Sequence, residues 1–166
     1  MDIERADLEL QYLYTSGSLI NTWDHISQVR KFHHECLETL LTTDIKFCQA
    51  ENVEQHFWKI VYYNIIEILR KPVPKDDVEL QCQYKKLLLN IVDEGTSYFT
   101  SLLSRLESTY KFKIDSFLSA FTVPPKGLGV VGLALVSTQK IFLFLGDLSR
   151  YKELANESSN YGKSRQ

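Results

Sequence analysis

Three observations predict an all-α fold. Apolar residues recur at three-and-four spacing almost without pause from Glu51 to Leu154. Nowhere does strict apolar–polar alternation survive as a strand would require. One run, opened by Asp76 or Asp77 and reaching Tyr110, keeps its period for about six turns, which argues for a bundle or array of helices. Short connections between such helices make sequential neighbours antiparallel.

The elements follow in order. Residues 2–14 interleave charges with Leu8, Leu10, Leu13 and tyrosines, as a short helix or ordered arm would. Ser16-Gly17-Ser18 reads as a break. Residues 1–22 are therefore expected to form an N-terminal arm and 23–166 one helical domain. Asn21, Thr22 and Asp24 offer caps for a helix to about Leu41, with Ile26, Val29, Phe32, Cys36, Leu37 and Leu40 on one face. Trp23 stands at its entry, and Thr42-Thr43-Asp44 breaks or recaps it.

Glu51–Arg70 is the clearest amphipathic segment, with Val53, Phe57, Ile60, Val61, Ile65, Ile68 and Leu69 on a broad face. Lys71-Pro72-Val73-Pro74 ends it, since proline lacks a donor and restricts its predecessor. The long helix then carries Leu88, Ile91, Val92, Gly95, Phe99, Leu102, Leu103 and Leu106. A short helix is expected over Lys113–Phe121, a loop at Pro124–Gly127, and a last long helix over Leu128–Leu154. Asn156–Gln166 is polar. Ile65, Leu88, Ile91, Leu102, Leu106, Leu135, Phe142 and Leu145 are expected in the core.

Composition narrows the classes. The chain has 166 residues, 44% hydrophobic and 24% charged, enough for one domain with a real core. A net charge of −2 gives no general pull toward nucleic acid, so direct nucleic-acid binding is not expected. Cys36, Cys48 and Cys82 make an odd count without a CxxC pair, which suits a reducing compartment. His33 and Cys36 share a helix face, but two ligands do not make a metal site. No cofactor is expected. Residues 1–7 lack a basic start and an apolar run, and Ser137-Thr138-Gln139-Lys140 interrupts the apolar stretch of the last helix, so neither a signal peptide nor a membrane span is expected.

The candidate site lies in Ile141–Leu154. Five consecutive apolar residues, Ile141–Leu145, leave no polar face, and a helix carrying them is expected to be covered on nearly all sides. Gly146 would admit another helix closely. Asp147, Arg150 and Tyr151 follow at once. Asp147 and Arg150 are three apart and can pair; Arg150 with Tyr151 can hold an oxyanion. The plainer alternative is an ion pair that neutralises Asp147.

Gly146-Asp147-Leu148-Ser149-Arg150-Tyr151 resembles the Gly-Asp-x-x-Arg-Tyr segment with which 14-3-3 proteins grip phosphoserine. The longer string through Lys152 resembles the Est-one/Smg family of nonsense-mediated mRNA decay factors, which carry a 14-3-3-like domain. Asp93-Glu94-Gly95-Thr96, Tyr110-Lys111-Phe112-Lys113 and Asn160-Tyr161-Gly162-Lys163-Ser164 resemble its Smg-six branch. The resemblance spans about Phe57 to the C-terminus. It implies a 14-3-3-like array leading into tetratricopeptide-type helices, incomplete here at its C-terminal end.

The resemblance also implies site residues. One 14-3-3 helix supplies Tyr-Lys-Asn and, seven residues after the Lys, an Arg. Here Tyr62-Tyr63-Asn64 puts Tyr63 at the Lys position and keeps the Arg as Arg70. Arg70, Arg150 and Tyr151 are thus implied as phosphate contacts, with Tyr63, Asn64 and Asp147 in support. Lys59, one turn before Tyr63, offers a substitute cation. Tyr62 reads as a core aromatic. The plainer reading of Arg70 is a cation at a helix C-terminus, and that of Arg105, Lys111, Lys113 and Lys126 is a solvated face.

The implied function is binding of a phosphorylated Ser or Thr segment, with the RNA helicase of nonsense-mediated decay as partner. Other decay factors or telomerase components are further partners, in the cytoplasm and also the nucleus. The alternative is a phosphate-independent helical scaffold. Enzymatic activity is not expected, since no nucleophile–base pair, glycine-rich phosphate loop or metal-binding carboxylate cluster is present.

Overall fold

A computed structural model describes residues 2–116 and 129–164, with side chains as far as Glu157. The described residues are all-α and contain no strand. Helix α1 spans Ile3–Thr15, α2 Trp23–Thr43, α3 Ile45–Ala50, α4 Val53–Phe57, α5 Asn64–Leu69, α6 Val78–Tyr110 and α7 Val130–Ser164. A π-helical segment, Trp58–Tyr63, joins α4 to α5 in one rod. The expected short helix is described only to Ser116, as a 3₁₀ turn over residues 114–116. Its remainder, the Pro124–Gly127 loop and Lys126 lie outside the described residues.

The helix starts follow local chemistry. Asp2, Asp44 and Asp77 each accept a hydrogen bond from a backbone N–H three residues on, capping α1, α3 and α6. Thr22 precedes α2 without capping it; its hydroxyl donates to the Ser18 carbonyl at 3.1 Å. The last helix runs ten residues beyond the expected end at Leu154, to Ser164. No proline follows Leu154, and Glu153, Ala155 and Glu157 favour helix.

Helices α6 and α7 are antiparallel: Asp93 pairs with Lys152, Phe99 packs on Phe144, and Leu88 shares a cleft with Ala155. The α4–α5 rod lies against both. Trp58 stacks on Phe144 with ring centres 4.9 Å apart, and on Tyr62 at 5.8 Å. Phe57, Tyr62 and Phe99 complete this aromatic centre. Each large apolar side chain buried there contributes about 1.5–3 kcal/mol. Helix α1 adds Ala6, Leu10, Leu13 and Tyr14 to the same core.

The π segment corrects the simple periodicity of this rod. Its wider turn buries Ile60, Val61 and Tyr62 in succession, where a regular helix would turn one outward. Two carbonyls of the segment accept from side chains: Tyr14 Oη donates to Ile60 at 3.1 Å, and Arg30 Nε to Val61 at 3.0 Å. Arg30, 2% exposed, also pairs with Glu94 at 2.9 Å. His34 sits in the same cluster. A carbonyl only accepts, so His34 Nδ1 donates to Arg30 at 2.6 Å, and its bare Nε2 accepts from Tyr62 Oη at 2.6 Å. Burial first, then the Arg30 charge, pushes the His34 pKa down to about 4.

Two expectations about α7 fail. Phe142 and Leu143 are exposed and Leu145 is half-buried, while Ile141, Phe144, Leu148, Tyr151 and Ala155 face inward. The apolar run is therefore not covered all round: the helical period divides it, and the packed elements meet one arc only. Gly146 falls on the outer arc, and beyond its own stretch of helix no atom lies within 4 Å of where its Cβ would be. The close approach is at Gly95, where a Cβ would come within 2.8 Å of Tyr62 Cε1 and 2.9 Å of Leu148 Cδ1. The other residues expected in the core, including Ile65, Leu88, Ile91, Leu102, Leu106 and Leu135, are buried.

The polar interruption in α7 also has a structural use. By length and composition Val130–Glu157 would pass for a membrane span. Yet Ser137 and Thr138 are fully buried, and Ser137 Oγ donates to the buried Glu54 at 2.8 Å. Lys140 Nζ pairs with the same carboxylate at 3.1 Å. The helix is thus a core element, tied to α4 by a buried ion pair.

Candidate phosphate-binding edge

The edge is built where the C-terminal half of the rod lies beside α7. Tyr63 is 44% exposed, because the π segment ends there and turns it away from buried Tyr62. Seven residues on, Arg70 ends α5. Tyr151 enters from α7 with its ring buried and its hydroxyl at the surface of the rod.

Tyr151 is the centre of the cluster. The Arg70 guanidinium lies 5.1 Å from its ring centre and that of Arg150 5.9 Å. The two arginines, eighty residues apart in sequence, therefore converge on one aromatic ring. Asp147 accepts from Arg150 at 3.3 Å. It does not reach Arg70, which pairs instead with Glu67 at 3.1 Å. Asn64 is half-buried and takes no part in these hydrogen bonds. A cleft of ≈ 550 Å³ opens beside the cluster, lined by His56, Lys59, Tyr63, Asp147, Arg150 and Tyr151 among others. Lys59 thus shares a cleft with Tyr63 and Arg150.

Glu67 is the member of this cluster that sequence reasoning missed. Its Oε1 accepts from Tyr151 Oη at 3.3 Å as well as from Arg70. Burial pushes the Tyr151 phenol up from its ordinary pKa, and the Glu67 charge and hydrogen bond push it further. Tyr151 therefore stays a donor at neutral pH. The (i, i+3) spacing of Glu67 and Arg70 is readable in the sequence; the approach of Tyr151 is not. Also missed were Lys71, Lys75 and Lys85, which line a second cleft around Arg70. No group of three His, Cys, Asp or Glu side chains placed to hold a metal occurs among the described residues. Arg105, read as part of a solvated face, is exposed and pairs with Glu38 at 3.1 Å.

Helices packed in an array, with two arginines and a tyrosine gathered at one edge, define a helical domain with a cationic–aromatic surface cluster. The family profile described as Telomerase activating protein Est1 matches residues 52–156. A curated relative, Telomerase-binding protein EST1A of Danio rerio, is 35% identical over 143 residues, covering 86% of this chain. The chain belongs to the Est1 family, as the motifs around Asp93 and Asp147 led us to expect. It corresponds to only 9% of the length of the Danio rerio protein.

Proposed function

We propose that this domain is a phosphoserine- or phosphothreonine-dependent protein-binding module of an Est1-family protein. The observation that carries the reading is the convergence of Arg70 and Arg150 on Tyr151. A phosphate dianion needs cations from more than one direction, and here they come from the end of one helix and the flank of another. Lys59 adds a cation to the neighbouring cleft, where Tyr63 can give a hydrogen bond but no charge. The partner the resemblance supplies is the phosphorylated RNA helicase of nonsense-mediated decay, met in the cytoplasm and also the nucleus. The name of the Danio rerio relative adds telomerase components as a second class of protein partner.

Glu67 favours a second reading, a phosphate-independent scaffold, because it already occupies both Arg70 and the Tyr151 hydroxyl. Titration of matched phosphorylated and unphosphorylated peptides separates the two. The phosphate reading expects the phosphopeptide to bind at least tenfold tighter, with Glu67 giving way to it. Equal binding of the two peptides leaves the scaffold.

A further inference from the structure

Arg70 lines a second cleft, of ≈ 900 Å³, which Tyr151 also lines and Arg150 does not. Lys71 and Lys75, from the connection between α5 and α6, and Lys85, from the second turn of α6, join Arg70 on its walls. Among the described residues no carboxylate lines it. Arg70 is paired with Glu67, but Lys71, Lys75 and Lys85 form no ion pair among the described residues. Asp76, Asp77 and Glu79 follow nearby without lining the cleft, and the Asp77 carboxylate is engaged with the Leu80 N–H at 3.1 Å. The floor is aliphatic, from Leu69, Leu88 and Leu154.

We propose that this cleft is a second subsite, which takes an acidic segment of the same phosphorylated peptide a few residues from the phosphorylated one. The inference rests on the phosphopeptide reading above and adds a sequence requirement to it. Three lysines without an ion pair, beside an arginine held by Glu67, complement Asp or Glu side chains, and the leucines suit the aliphatic parts of a chain lying between them. Tyr151 lines both clefts, so one extended segment can run from the first into the second. A cleft of ≈ 900 Å³ is roughly 10 Å across, which sets the reach from the Arg70–Tyr151 edge to its far wall. An extended peptide advances about 3.3 Å per residue, so the acidic residues fall about three to five positions from the phosphoresidue. Single-stranded RNA is the poorer fit. Stacking successive bases needs several open aromatic faces, and here Arg70 and Arg150 lie against the Tyr151 ring, which leaves Tyr84.

The test is a titration of the 166-residue chain with peptides sharing one sequence. Each carries phosphoserine or serine, and a pair of Asp or a pair of Ala about three to five positions away. One set places the pair before the phosphoresidue and another after it. In one of the two sets the Asp phosphopeptide should bind roughly 3- to 20-fold tighter than its Ala counterpart, more so at low salt. In the combined Lys71→Ala, Lys75→Ala, Lys85→Ala variant that gain should vanish while the preference for phosphoserine over serine remains. Equal affinity of Asp and Ala phosphopeptides in both sets overturns the subsite and leaves the phosphate reading standing. So does an Asp advantage that survives the triple substitution. If serine and phosphoserine peptides bind alike, the phosphate reading fails by itself, and the Asp–Ala difference between the serine peptides still decides the cleft. Stronger competition by a uridine oligonucleotide than by the Asp peptide, lost in the triple variant, overturns the proposal in favour of RNA.

Discussion

A Cβ on Gly95 would stand 2.8 Å from Tyr62 Cε1, so α6 meets the α4–α5 rod at a distance only glycine permits. The Tyr62 ring has little room to retreat. It stacks on Trp58, and its hydroxyl is held at 2.6 Å by His34. Gly95→Val should therefore cost about 2–3 kcal/mol through overpacking, lowering the melting temperature by roughly 4–12 °C in a domain of this size. Gly146→Ala is the control. Open space surrounds it, and exchanging a helical glycine for alanine should raise stability by about 0.5–1 kcal/mol. Thermal melts followed by circular dichroism measure both.

The π segment gives a second prediction. Tyr14→Phe removes the donor to the Ile60 carbonyl and leaves that buried acceptor unpaired, at a cost of about 1–3 kcal/mol. Urea unfolding midpoints report it. Because the lost bond holds the wide turn that ends at Tyr63, amide exchange should quicken in Trp58–Tyr63 more than in α6. Uniform protection in both segments would show that the π turn is stable without α1.

His34 sets an acid limit to stability. Its folded pKa lies at about 4, against 6.5 in the unfolded chain. Between those values the unfolded chain binds the extra proton, so stability rises with pH there. The contribution is full above pH 6.5 and is lost as pH falls toward 4, by on the order of 2–4 kcal/mol. His34→Gln should flatten that part of the stability–pH curve relative to the parent protein, although other groups titrate in both. Chemical denaturation at pH 7 and pH 5 gives the comparison, and parallel curves would remove His34 from the account.

At the candidate site, Arg70→Glu or Arg150→Glu should weaken phosphopeptide binding at least tenfold, since a charge-assisted hydrogen bond is worth about 1.5–3 kcal/mol. Helicity should stay intact, because both arginines are exposed. Tyr63→Lys should strengthen binding by placing a cation beside Arg150. Glu67→Gln should strengthen it roughly 3- to 10-fold, by removing the charge that competes for Arg70. If both Arg→Glu variants bind like the parent protein, the phosphate does not sit here.

Much of this molecule was legible in its sequence. Helical periodicity gave the all-α class, and Asp77 with Tyr110 gave α6 almost to the residue, because caps and apolar spacing act locally. Arg70, Arg150 and Tyr151 were singled out by the resemblance to the 14-3-3 motif, and the structure brings them together. Sequence did not reveal which arc of α7 is covered, and so misplaced Phe142, Leu145 and the close-packed glycine. A run of five apolar residues carries no mark of which neighbours will be present. Nor did it reveal the π turn, two of whose carbonyls accept from Tyr14 and Arg30 on other helices. Glu67 shows the same division: its pairing with Arg70 is a matter of three residues on one helix, while its hold on Tyr151 exists only once α7 lies against α5. Local hydrogen bonding and helical period were fixed by neighbours in the chain; the site's electrostatics were decided by packing between elements far apart in it.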